Sequence, residues 1–204
     1  MTKQSKLYKL MVSNIKKIHK SFCTPLVLKN CDTSRSQLML KAYLILVHAE
    51  FESYIESIIT EKTDIALNNY VKLKELDKTI GGIVAYSNMV YEAPNKFVDA
   101  NDPKARKTFD TIVNKECKMF KQEIKYLNNG IKIKNIAPLI SKIGLDINSF
   151  DETEMNELEI FGENRGFIAH NSIGINRVID YSTEENHIQN IILLFSKIDN
   201  MIMN

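Results

Sequence analysis

The sequence predicts an all-α protein, and three observations carry that prediction. Seven Gly and four Pro are spread over 204 residues, so long stretches contain no breaker. Apolar residues return at helical spacing in one segment after another. The one run rich in β-branched residues lies within a breaker-free stretch too long for a strand. With 44% hydrophobic and 25% charged residues, the composition is that of an ordinary globular chain. A chain of this length buries a full core without staples, so one helical domain over 1–204 is expected, a bundle of two long helices and several shorter ones.

The elements follow in order. Residues 3–20 place Leu7, Leu10, Met11, Ile15 and Ile18 on one helical face. Pro25 and the polar stretch to Ser34 read as a connection. From Arg35 to about Asn68 there is no Gly or Pro, and apolar residues leave almost no polar face before Phe51. This predicts the central, most buried helix. Val71, Leu73 and Leu76 suggest a further short helix, broken by Gly81-Gly82, with Pro94 in a loop. Asp102-Pro103 reads as an N-cap followed by Pro at the first helical position. Phe109, Ile112, Val113, Cys117, Phe120, Ile124 and Leu127 then follow at clean helical spacing, ended by Asn129-Gly130. A short helix is expected from near Pro138 to Gly144. Asp151 and Glu154 have the spacing of a capping box, and their helix should end near Asn171–Gly174. Thr183, with Glu184 and Glu185, opens the last helix, whose face is Ile188, Ile191, Ile192, Phe195, Ile198 and Ile202.

Charge and cysteine content narrow the function classes. A net charge of +2 argues neither for nor against nucleic acid. Lys115, Lys118, Lys121 and Lys125 lie near one helix face and read as solvated, with phosphate contact as the alternative. Cys23, Cys31 and Cys117 are odd in number and lack metal-ligand spacing, which predicts reduced thiols, no metal and no cofactor. Lys3, Lys6 and Lys9 precede no apolar h-region, and the runs Ala42–Val47 and Ile191–Phe195 are too short for a bilayer. A cytoplasmic protein without membrane contact is expected. No Gly-rich phosphate loop follows a strand, which disfavours nucleotide hydrolysis.

The stretch FGENRGFIAHNSIG, residues 161–174, stands apart. It holds three of the seven Gly, one of four Arg and one of four His. Each Gly inside a helix costs about 1 kcal/mol relative to Ala. With Gly162 at zero on a helix of ~100° per residue, Ala169 falls near −20° and Gly166 near +40°. Arg165 falls near −60° and His170 near +80°. Arg165 and His170 therefore flank a floor of Gly162, Gly166 and Ala169, onto which a helix, a partner subunit or a polynucleotide can pack. Ile160, Phe161, Phe167 and Ile168 fall on the opposite side, toward the core. Asn164 and Asn171 fall among them and need hydrogen-bond partners if buried.

Arg matches phosphate bidentately, and His moves protons near neutral pH. Together they suit metal-independent RNA cleavage. The two rims lie ~140° apart, so two copies related by a two-fold axis converge better than one. The bland alternative is a packing seam, with Arg165 in a surface ion pair with Glu159 or Glu163.

Arg165-Gly-Phe-Ile-Ala-His170 resembles the Arg-x4–6-His motif of the HEPN superfamily. A second stretch, YLILVHAEFESYIESII (residues 43–59), is similar to the long early helix of the RiboL-PSP-like and related HEPN branches, where an apolar run leads to a small residue, an aromatic and a Glu. Here these are Ala49, Phe51 and Glu52. The resemblance implies an all-α domain. It also implies a metal-independent endoribonuclease of the toxin–antitoxin, abortive-infection or antiviral-defence kind. Carried over, it implies Arg165 as the phosphate-binding residue and His170 as the proton-transfer residue. Glu52 is the matched acidic position; it either orients Arg165 or His170 or neutralises Arg165 in a buried pair. His48, one turn before it, is expected to be a satisfied core or interface histidine. His19 and His187 are expected on the surface. One position departs from the family: the residue after the Arg is usually polar, and here it is Gly166, while Asn164 precedes the Arg.

Three functions follow. The first is a homodimeric endoribonuclease that cuts RNA by 2′-hydroxyl attack, leaving a 2′,3′-cyclic phosphate, with an antitoxin or defence-system protein as a further partner. The second is a non-catalytic HEPN module that binds RNA or a protein. The third is a helical domain in which the Gly groove is only a packing seam.

Overall fold

The computed structural model describes residues 4–87, 89, 109–170 and 178–203. Among them are eight α-helices and no strand: α1 (Lys6–Phe22), α2 (Pro25–Lys29), α3 (Ser34–Leu73), α4 (Lys78–Ala85), α5 (Phe109–Leu127), α6 (Ile133–Lys142), α7 (Glu152–His170) and α8 (Tyr181–Met203). A single 3-10 turn, Ile147–Ser149, precedes α7. The all-α class is as the sequence predicts.

Backbone contacts group the chain into two compact units. The first comprises Met1–Ile58, Asn129–Ala137 and Ile147–Asn204. Its core draws on α1, α3, α7 and α8, with Ile136 from the start of α6. Tyr8, Met11 and Ile15 come from α1, and Leu40, Tyr43, Leu44, Val47, Phe51 and Tyr54 from α3. Leu158 and Phe161 come from α7, and Ile188, Ile191, Phe195 and Ile198 from α8. Phe51 sits at the centre, edge-on to Phe161 at 5.8 Å and to Phe195 at 5.2 Å between ring centroids. Such edge-to-face pairs add about 0.5–1.5 kcal/mol beyond the area they bury.

Asp199 of α8 is fully buried. It accepts from the Ser5 backbone N–H at 2.8 Å, the Ser5 hydroxyl at 2.5 Å and the Tyr54 hydroxyl at 2.9 Å. Ser5 also caps α1 by accepting from Tyr8 N–H, so one polar cluster ties the start of α1 to α3 and α8.

The second unit comprises Ile59–Asn128 and Pro138–Asp146. Ile80, Ile83, Val113, Cys117, Phe120, Ile124, Leu139 and Ile140 are its buried apolar residues from α4, α5 and α6. Lys142 pairs with Glu123 at 2.5 Å and lies over the Phe120 ring. Gly144 adopts φ +78°, and a Cβ there would meet the Lys78 carbonyl oxygen at 2.7 Å, so only Gly closes this turn.

Several elements differ from the sequence reading. The stretch after Pro25 contains a short helix, α2, capped by Thr24, rather than a plain connection. α3 runs on through Val71 to Leu73, so Val71, Leu73 and Leu76 do not form a separate helix; all three are exposed. Gly81-Gly82 lies inside α4 and does not break it. Gly82 is there for room, since a Cβ would meet the Lys142 carbonyl oxygen at 2.6 Å. α6 starts at Ile133, five residues before Pro138, which is held inside the helix. α3 does carry an exposed side, at Leu38 and Leu46. Asp102-Pro103 and Pro94 lie outside the described residues.

Candidate functional site

The start of α7 follows its sequence signal. Asp151 Oδ1 accepts from Thr153 N–H at 2.7 Å, and Glu154 Oε2 accepts from Asp151 N–H at 3.0 Å. This is a capping box with Asp as its first member. Both carboxyls are held below their usual range, Asp151 mainly by Thr153 and Glu154 mainly by Lys197. The helix then packs along α8. Asn164 Nδ2 donates to buried Glu184 at 2.9 Å, and His187 Nδ1 meets Glu157 at 2.5 Å. Asn164 thus faces α8 and anchors α7. His187 is a half-buried bridge between helices rather than a surface residue. His19 is also half-buried, bonded through Nε2 to the Tyr181 hydroxyl at 2.8 Å.

The Arg165 rim of α7 faces α3. Behind the half-buried Arg165 lie His48 and Glu52, one turn apart, with His48 Nδ1 3.8 Å from Glu52 Oε2. That distance is too long for a hydrogen bond. His48 is 2% exposed and stacks on Phe161, with ring centroids 6.2 Å apart and planes within 19°. Burial, then the Arg165 charge, pushes its imidazole down to about 4, so the ring is neutral at physiological pH. Its Nδ1 has no hydrogen-bond partner among the described residues, and neither has the buried Arg165 Nε. This departs from the expected satisfied histidine.

Burial, then the charge of Glu56, raises the Glu52 carboxyl. Arg165 and the Gly130 N–H, which donates to Glu52, act in the opposite sense. Gly130 holds φ +135°, and a Cβ there would lie 3.5 Å from the His48 ring. Glu52, His48 and Arg165 are therefore brought together.

The segment after Gly130 crosses to the other side of α7. A Cβ on Gly162 would meet the Lys132 Cγ at 2.7 Å. Lys132 Nζ lies 3.3 Å from Glu159 and 3.4 Å from Glu163, and the Ile133 N–H donates to Glu159 at 3.3 Å. So Glu159 and Glu163 pair with Lys132, not with Arg165. The close approach at Gly162 is made by this chain's own Lys132. Gly166, one turn on, is open among the described residues: a Cβ there would have none of their atoms within 4 Å. Ala169 and His170, beyond it, are both exposed at this last turn of α7.

On the wheel, His170 shares the Glu159, Glu163 and Gly166 stripe, away from Arg165. No described contact joins His170 to Arg165, His48 or Glu52. Phe161 is buried as expected, whereas Phe167 and Ile168 are only half-buried. Asn171 lies outside the described residues. Lys132 and Gly130 were not legible as site neighbours, because the contacts that place them span about thirty and eighty residues of sequence. Among the described residues no group of three or more His, Cys, Asp or Glu could hold a metal ion, and no helix is long and apolar enough to cross a membrane.

An all-α chain with an Arg and a His on one late helix, backed by a Glu from the long early helix, has the architecture of a HEPN domain. Comparison with known families matches residues 8–204 to RiboL-PSP-HEPN, and the chain belongs to that family. No curated protein and no solved structure matches it. Membership supports a nuclease or RNA-binding class of function.

Proposed function

We propose that this protein is a metal-independent endoribonuclease that acts as a homodimer. One observation carries the reading: α7 presents the family's Arg-x4-His pair with Gly166 open between them. Arg165 binds the scissile phosphate and stabilises the charge that builds on it. His170 moves the proton, from the ribose 2′-hydroxyl or to the leaving 5′-oxygen. The products are a 2′,3′-cyclic phosphate and a 5′-hydroxyl. The ~140° between the two rims favours a composite site, in which two copies set two Arg and two His around one phosphate. Gly166 and Ala169 leave room for the partner helix or for RNA. An antitoxin or a defence-system protein is the natural further partner for such an activity.

The test is RNA cleavage in EDTA by the wild type, Arg165→Ala and His170→Ala, with product ends analysed. Cleavage by the wild type alone, leaving cyclic phosphates, supports the reading. Equal cleavage by all three places the chemistry elsewhere. A second reading, a non-catalytic module binding RNA or a protein, is favoured by Gly166 standing where the family usually has a polar residue. It predicts a bound partner and no cleavage by a well-folded dimer.

A further inference from the structure

We propose that His48 is the positioning residue for Arg165: its Nδ1 accepts from one bridging water that in turn accepts the Arg165 Nε–H, and so fixes the direction in which the guanidinium faces. The inference rests on Arg165 being the phosphate ligand. Two buried nitrogens without partners lie in the same cluster, His48 Nδ1 and Arg165 Nε. They are complementary. The Arg Nε–H only donates, and a neutral imidazole with its proton on Nε2 only accepts at Nδ1. A donor or acceptor left buried and unpaired is destabilising, so joining them removes two penalties at once.

The imidazole is built for a fixed aim. It lies nearly parallel to Phe161, 6.2 Å away between ring centroids, and Phe161 sits on α7 one turn before Arg165. Gly130 lies beside the ring, close enough that a Cβ there would come within 3.5 Å of its Cε1. Glu52 supplies the neighbouring charge, but at 3.8 Å it does not occupy Nδ1. A guanidinium held at Nε keeps its two terminal nitrogens free, and these form the edge that meets two phosphate oxygens. Lys132, which precedes α6 and lies against α7, is taken up by Glu159 and Glu163, so Arg165 is the cation that this device serves.

The experiment is NMR of the RNA-free dimer or monomer, as purified. The chain has four Arg, so its Nε–Hε spectrum has four signals, and the one lost in Arg165→Lys is assigned. Hydrogen exchange of that signal is compared in the wild type, His48→Phe and His48→Asn. Phe keeps the stacked ring and removes both nitrogens; Asn places an amide oxygen where Nδ1 was. The proposal expects exchange to speed up by roughly tenfold or more in His48→Phe and to return toward wild type in His48→Asn. It also expects the imidazole to carry its proton on Nε2. Unchanged exchange in His48→Phe, or a proton on Nδ1, overturns it. Should His48→Phe fail to fold, His48→Asn and the tautomer still decide. RNA cleavage is read separately. If the exchange result holds and the wild type cuts no RNA, the nuclease reading fails and the positioning of Arg165 stands.

Discussion

At the scale of single residues, His170 and Arg165 differ in their surroundings, and so should their variants. His170 is exposed at the last residue of α7, so His170→Ala should leave folding unchanged and lower kcat by roughly 10²–10⁴-fold, measured by single-turnover RNA cleavage beside a thermal melt. Arg165 is half-buried beside His48 and Glu52, so Arg165→Ala should weaken both RNA binding and stability. His48 also sets a pH dependence. The unfolded chain takes up its proton below about 6.5, the folded protein only below about 4. Within that window the unfolded state binds more protons, so stability falls as pH drops, by about 3 kcal/mol if the whole shift is realised. Glu52, with its raised carboxyl, acts in the opposite sense just above 4.5. Urea unfolding from pH 7 to 4 should show the loss, and His48→Phe should flatten it; equal slopes in both proteins would remove His48 as the cause.

At the scale of elements, the two glycines of α7 separate packing from function. Gly166→Ala meets nothing within 4 Å among the described residues and should stabilise the protein by about 1 kcal/mol through helix propensity. If RNA or a second copy needs that open face, the same variant loses cleavage or dimerisation while its melting temperature rises. Gly162→Ala gains the same propensity but forces Lys132 Cγ aside, so it should gain less or lose stability. Lys132→Ala in the same chain should restore the gain, and a double-mutant cycle on melting temperature measures the coupling.

The elements also show what was legible in sequence. The start of α3, the Met11 and Ile15 side of α1, the Val113, Cys117, Phe120 and Ile124 side of α5, the face of α8 and the cap of α7 follow from local spacing, and the structure has them, whereas Leu10 and Phe109, assigned to the same faces, are exposed and α3 runs on to Leu73. Gly81-Gly82 misled because a helix accepts Gly where another backbone comes close, and that backbone is Lys142, sixty residues later. The purpose of Gly162 was half legible. The pattern showed that something approaches, while the identity of the visitor, Lys132, depends on a long-range fold. Family-specific residues told more about the site than periodicity did, since the wheel alone sets His170 and Arg165 on separate rims.

At the scale of the molecule, Asp199 joins distant parts of the first unit. Asp199→Ala leaves the Ser5 N–H, the Ser5 hydroxyl and the Tyr54 hydroxyl without their acceptor, and should cost about 3 kcal/mol in urea unfolding. A loss under about 1 kcal/mol would mean that water replaces the carboxylate. The same contact orders events in time. Asp199 is added to the growing chain 194 residues after Ser5. At bacterial or eukaryotic ribosome speeds this delay is about 10–40 s. Throughout it, the Tyr8, Met11 and Ile15 face of α1 has no α8 to cover it. A ribosome that stalls before α8 therefore releases a fragment with an exposed oily face, fit for a chaperone or a protease, and with no finished first unit.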